Sequence, residues 1–311
     1  MDPTQKSNDL SVPKEARPTI ASRAFRCAKG APKARHWVRG DPYATAFFNA
    51  LSAVFPQGET FMIRSIIPWV ERVPPSLARE VTSFIVQEAG HAREHIAMNR
   101  GMIEAGYDVD PLERRIKRFV KLFENASDMV KLTATMCFEH FTAIVAAEIL
   151  KNRHHLHGAD AELRELWLWH GIEEVEHKGV AFDVWQYATR EWSPVKRWLW
   201  RSFFMVAITA SFFINRTLGQ IELLRQDGVG FRTALPNILR HGFAEGGIAR
   251  NVTRPWFSFF RPGFHPWDID DRLLIAEGEA ELANAAAKRA GYQPEIASKE
   301  RRTSRQMARV A

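Results

Sequence analysis

A chain of 311 residues with 46% apolar side chains can bury a sizeable core, which excludes a disordered or low-complexity protein. Its net charge of +7 raises nucleic acid as a partner, but the cations gather at the two ends without a recognition motif, so specific nucleic-acid binding is set aside. Two distant cysteines, Cys27 and Cys137, argue against a disulfide framework; with no apolar leader near Met1, a cytoplasmic setting is expected.

Residues 1–40 carry Arg17, Arg23, Arg26, Lys29, Lys33 and Arg35 and read as a basic, disordered tail; residues 291–311 read as a second one. From Tyr43 onward apolar residues recur at three- and four-residue steps, so the chain is predicted to be all-α. The first helix spans about Ala44 to Ile67, with Pro56 and Gly58 predicting a break just before Glu59. Ser76 is the expected N-cap of a second helix reaching Glu104, and a shorter helix follows Asp110-Pro111. Ser127 opens a third, ending near Asn152, and Asp160 caps a fourth that runs to about Arg190. These four are expected to form a bundle over 43–190, with 191–290 an aromatic-rich helical extension packed on it.

Two of these helices repeat one spacing: Glu88-Ala-Gly-His91 and Glu174-Val-Glu-His177. Residues i and i+3 share a helix face. The other two helices each carry a lone glutamate on the apolar stripe, Glu59 and Glu139. The stripes themselves read Phe48, Ser52, Phe55, Glu59, Met62, Ile66; Val81, Phe84, Glu88, His91, His95, Met98; Leu132, Met136, Glu139, Ala143; and Leu166, His170, Glu174, His177, Ala181. Each is interrupted by a polar residue near its middle. An unpaired buried carboxylate costs several kcal/mol, whereas two divalent cations would neutralise four of them, with two imidazoles completing the coordination. Glu59, Glu88, His91, Glu139, Glu174 and His177 are therefore the candidate metal ligands. A single Glu-x-x-His arises often on exposed helix faces; two in register, each with a stripe glutamate, do not. Glu173 competes with Glu174 but lacks the three-residue spacing to His177.

His95 and His170 lie one turn from this set on the same stripes and are candidate catalytic residues, as a nitrogen ligand, a donor behind the ligands or a proton carrier. His140 points about 100° away from the Glu139 stripe and reads as a packing histidine. Asp183 could orient an imidazole or be solvated.

The pattern over 43–190 resembles the ferritin-like di-iron carboxylate superfamily. More closely, Phe55-Pro56-Gln57-Gly58-Glu59, Gln87-Glu88-Ala89-Gly90-His91 through His95, Phe138-Glu139-His140-Phe141 and Trp169 through Lys178 resemble a bacterial family labelled "predicted metal-dependent hydrolase". The segment Phe260 to Trp267 resembles it more loosely. The resemblance implies metal binding by the six residues above, with His95 and His170 as the family's extra histidines. It supplies no substrate.

Trp198 to Ile214 is strongly apolar and bracketed by Lys196, Arg197 and Arg216. A buried core helix and a helix lying in a bilayer interface both suit it. The latter would place the protein peripherally at the inner membrane face, with a small, lipid-like substrate. Two chemistries follow. A di-iron site could use dioxygen and an electron donor to hydroxylate or desaturate an organic substrate, the reading preferred on ligand type, with manganese or zinc as other metals. Alternatively a metal pair could activate water for hydrolysis, as the family label states. A homodimer is also expected. Pure iron storage is set aside, because the chain is much longer than a bare bundle.

Overall fold

The structure, a computed structural model, describes residues 12–26 and 34–289. Every regular element among them is a helix; extended pairing is limited to an isolated antiparallel bridge between Val38 and Ala159.

Helix α1 (Pro42–Ser52) starts where the Asp41 carboxylate accepts from the Tyr43 and Ala44 amides. The single first helix expected from the sequence is divided at Ala53–Val54, and α2 (Phe55–Ile66) restarts with Pro56 in its first turn, where a missing N–H costs nothing. The break thus falls ahead of Glu59. Helix α3 (Pro75–Glu104) is preceded by Pro74 with no side-chain cap; Ser76 lies inside the first turn, so the expected cap is corrected. After α4 (Asp110–Lys121), Ser127 caps α5 (Asp128–Lys151) through Val130 N–H, and Asp160 caps α6 (Ala161–His177) through Glu162 and Leu163.

The fourth helix does not run unbroken to Arg190. It stops at His177 and resumes as α7 (Val180–Ala188). The interruption is held by the segment after residue 264: a Cβ on Gly179 would lie 2.9 Å from Trp267 Nε1, and Lys178 Nζ sits 2.6 Å from Asp271 Oδ2 and 4.2 Å above the Trp267 ring. The chain closes with α8 (Pro194–Gln226), α9 (Phe231–Phe243), α10 (Ile248–Asn251), α11 (Thr253–Ser258) and α12 (Arg272–Arg289).

Helix α2 packs on α3 and α5, α5 on α6 and α7, and α3 on α6 and α7, so these segments enclose one core. Their facing stripes are those the periodicity marks: Val81, Phe84, Leu132, Met136, Leu166, Ala181 and Val184 are all buried, the large ones contributing about 1.5–3 kcal/mol each. Phe55 is only half-buried. Helix α8 packs on α1 and α5, and α12 on α6 and α5.

By length and composition α5 and α8 could each cross a membrane, but the apolar window of α5 is 78% buried within the protein and that of α8 only 22%. Leu199, Phe203, Val206 and Ile214 face outward, which corrects the buried-core alternative for α8.

The expected basic tail is also corrected for its described part. Val12 N–H donates to the Trp267 carbonyl at 2.8 Å, Arg17 pairs with Asp183 at 2.9 Å, Arg23 pairs with Glu176 at 2.6 Å and with Glu279 of α12, and Trp37 and Val38 are buried. These cations meet carboxylates folded beneath them. Residues 1–11, 27–33 and 290–311, with Cys27, Lys29, Lys33 and the C-terminal basic run, lie outside the described residues.

Candidate metal centre

Glu59 from α2, Glu88 and His91 from α3, Glu139 from α5, and Glu174 and His177 from α6 converge on one point, each at most 1% exposed. Three-residue spacing carries Glu88 with His91, and Glu174 with His177, on one face of their helices. His91 Nδ1 stands 3.7 Å from Glu88 Oε1 and 3.7 Å from Glu174 Oε1. His177 Nε2 stands 3.5 Å from Glu88 Oε1, 3.7 Å from Glu139 Oε2 and 3.7 Å from Glu174 Oε2. Glu88 thus lies between the two imidazoles, and Glu174 turns one oxygen toward each.

Two groups, Glu59 with Glu88 and His91, and Glu88 with Glu139 and His177, each bring one atom per residue within 4.8 Å of the others, and they share Glu88. Ligands about 2.1 Å from one cation lie about 3.0–3.4 Å apart, and His177 Nε2 is already within a few tenths of an ångström of that spacing from Glu88 and Glu139. Both oxygens of Glu59, Glu88 and Glu139, Glu174 Oε2, His91 Nδ1 and both nitrogens of His177 have no hydrogen-bond partner among the described residues. Such a set is intolerable as bare polar burial and fits a divalent pair. Burial pushes Glu59 and Glu139 well above the ordinary carboxylate range, aided by neighbouring carboxylates, and lifts Glu88 to about 8. For Glu174 burial acts the same way, but His170 and His177 outweigh it and hold the carboxyl well below that range.

The outer faces of the imidazoles are anchored too. His91 Nε2 donates to Glu173 Oε2 at 3.2 Å, and the second Glu173 oxygen accepts from Arg23 N–H at 2.7 Å. Glu173, which the spacing argument passed over, therefore holds a candidate ligand from behind. Trp169 stands edge-on to His91 at 4.9 Å, and the Phe84 ring lies 4.8 Å from His177.

His170 and His95 form a chain leading outward from Glu174. Asn99 Nδ2 donates to the Ser52 carbonyl at 3.0 Å, so Asn99 Oδ1 accepts from Ser52 Oγ–H at 2.8 Å. With that proton committed, Ser52 accepts from His95 Nδ1–H at 2.9 Å, and His95 Nε2 accepts from His170 Nδ1–H at 2.7 Å. His170 Nε2 then faces Glu174 Oε1 at 2.9 Å, and one proton must lie between them. Both nitrogens of His95 are thereby engaged. Phe55 packs against both rings, at 4.9 Å and 5.0 Å. Ser52 was marked only as a small polar stripe residue, and Asn99 carried no signal beyond its place one turn past His95.

His140 is buried against Phe259 and Phe264, pushed down to about 3 by burial, and stands apart from the cage, as its packing reading expects. Asp183 does meet an imidazole, that of His265 at 3.0 Å, together with Arg17. Cavities of about 60 Å³ and 20 Å³ touch Glu174, the first also Glu59 and the second His170; Phe212 of α8 lines both.

No curated protein and no solved structure matches the chain. One family does, described as "Predicted metal-dependent hydrolase", over residues 21–270, a stretch that holds all six cage residues and the Arg23 contact behind them. The chain belongs to the predicted metal-dependent hydrolase family.

Proposed function

We propose that this protein is a ferritin-like, two-metal carboxylate enzyme in which Glu59, Glu88, His91, Glu139, Glu174 and His177 hold a pair of divalent cations, Glu88 and Glu174 serving both. The observation that carries this is the convergence of four buried carboxylates and two imidazoles whose inward atoms have no partner among the described residues. Hydrolysis is the leading reaction, in keeping with the family's description. Oxidation at a di-iron site is the second reading, supported by four hard carboxylates against two imidazoles, a set that suits iron or manganese better than zinc. A bound pair would supply an activated water in the first case and dioxygen chemistry, fed by an electron donor, in the second.

The chain's own residues do the rest. Glu173 fixes His91 by its Nε2 and so presents Nδ1 inward. His170 takes or returns a proton at Glu174 Oε1, and His95 and Ser52 continue that line toward Asn99. Apolar walls at the cage favour a hydrophobic substrate. The outward face of α8 supports peripheral association with an anionic membrane, since residues 194–262, with the inward-turned Arg201 and Arg216 left out, carry eight Lys and Arg against three Asp and Glu.

Metal content after expression, followed by two assays, tests the reading. Zinc- or manganese-dependent cleavage of acyl esters without oxygen uptake supports hydrolysis; oxygen consumption by the reduced, iron-loaded protein moves the assignment to oxidation. A Glu88→Ala, His177→Ala double variant that still retains two metals would remove the cage as the site.

A further inference from the structure

Arg216 lies on α8 one turn after Phe212, turned inward to where α8 passes α1. Its guanidinium stands over the rings of Phe47 at 5.1 Å and Phe213 at 5.2 Å, and among the described residues it has no carboxylate or carbonyl acceptor. Arg201, earlier on the same helix, shows the usual solution: its guanidinium donates to the Phe259 and Arg261 carbonyls. The guanidinium is half-buried and opens onto cavities, and crowding by its apolar neighbours pushes it down to about 10.

Arg216 sits where two kinds of surface meet. It lines the boundary of two adjoining cavities. One, of about 460 Å³, is the more polar and is also bordered by Arg39 and Arg240, with Glu245 as its carboxylate. The other, of about 220 Å³, is walled by Phe212, Phe213, Phe243, Trp256 and Phe257. Leu51, Val145 and Phe212 line the far side of this aromatic cavity, and the same three residues line the small cavity that touches His170 and Glu174. The sequence of surfaces is cationic mouth, Arg216, aromatic chamber, Phe212, metal cage.

We infer that the site takes an amphipathic anion, its carboxylate or phosphate head paired with Arg216 and its aliphatic tail lying in the aromatic chamber toward Phe212 and the cage. This deepens the enzymatic reading above and rests on the cage as the reaction centre: under hydrolysis the end of the tail must carry the acyl bond to be cut, and under oxidation a C–H bond suffices. The guanidinium gains the acceptor it lacks, the tail displaces water from rings, and the head is held away from the reacting end. Phe212 then acts as a positioning residue that separates the chamber from the cage.

The test is binding of dodecanoate and dodecyl phosphate, each below its micelle concentration, and of dodecanol below its solubility limit, to the full chain by titration calorimetry. Saturable binding of one anion per chain is expected, with dodecanol weaker by roughly tenfold or more, the worth of a charge-assisted hydrogen bond. Whichever anion binds more tightly identifies the head group. Arg216→Gln should erase the preference over dodecanol while Arg216→Lys keeps part of it, and Arg216→Gln should melt close to wild type because no hydrogen bond or ion pair among the described residues is lost. Glu88→Gln should lose metal and keep anion binding, so the two readings fail separately. Equal binding of dodecanol, absence of binding, or anion binding that survives Arg216→Gln and vanishes in Glu88→Gln would each overturn the assignment.

Discussion

His91 donates from Nε2 to Glu173 at 3.2 Å, and this contact decides that Nδ1 is the nitrogen facing Glu88 and Glu174. Replacing Glu173 by Gln keeps the shape but removes the charge that makes His91 a better ligand. Metal affinity should fall about 10–100-fold, the usual effect of losing a hydrogen-bonded carboxylate behind a ligating histidine. Competition against a chelator of known affinity measures it; unchanged affinity would show that Glu173 only packs.

The raised carboxyls predict a pH signature that depends on metal. In the metal-free protein Glu88 holds its proton up to about 8, and Glu59 and Glu139 are also raised, against an ordinary value of 4.5. Between those values the folded state binds protons that the unfolded chain has released. Stability of the metal-free protein therefore falls as pH rises through the window, by up to ~1.4 kcal/mol per pH unit for each such group. With cations bound the carboxylates are ionised in the folded state as well, and the decline should disappear. Melting temperatures across this range, with chelator and with metal, check it; parallel curves would contradict the cage.

Gly278 sets how closely α12 approaches α6. A Cβ there would lie 2.8 Å from Ile172 Cγ1, a fully buried β-branched side chain without room to turn. Overpacking of about 1–3 kcal/mol opposes a helix-propensity gain of about 1 kcal/mol. Gly278→Ala should therefore lower the melting temperature by a few degrees, and an unchanged melt would mean that α12 can lift off α6.

The outward face of α8 should carry the protein to anionic vesicles in a flotation assay, less so to neutral ones. Aspartates at Phe203 and Val206, both outward-facing, should abolish flotation. Deleting residues 290–311, which carry Lys299, Arg301, Arg302, Arg305 and Arg309, should not. Loss of flotation on that deletion alone would assign the effect to tail charge.

The cage was readable because helix geometry ties a three-residue spacing to a shared face, and four interrupted stripes leave few other ways to pair. Ser127 and Asp160 were readable as caps for an equally local reason. What stayed hidden depends on distant partners. Glu173 acquires its role from a histidine on α3, eighty-two residues earlier; Gly179, at the stop between α6 and α7, faces Trp267, which occupies the space a side chain would need. Arg23 looked like one cation among many until α6 and α12 brought Glu176 and Glu279 to it.

That arginine alters where the smallest working piece of the protein begins. Its backbone amide is the partner of Glu173 Oε1, and its guanidinium fastens α6 to α12. A version started at Tyr43, the edge suggested by helical periodicity, would keep all six inward-facing cage residues and yet discard the clasp that aims one of them. Shortened forms should therefore be cut before Val12, and weak metal uptake by a form cut later would describe the truncation and not the enzyme.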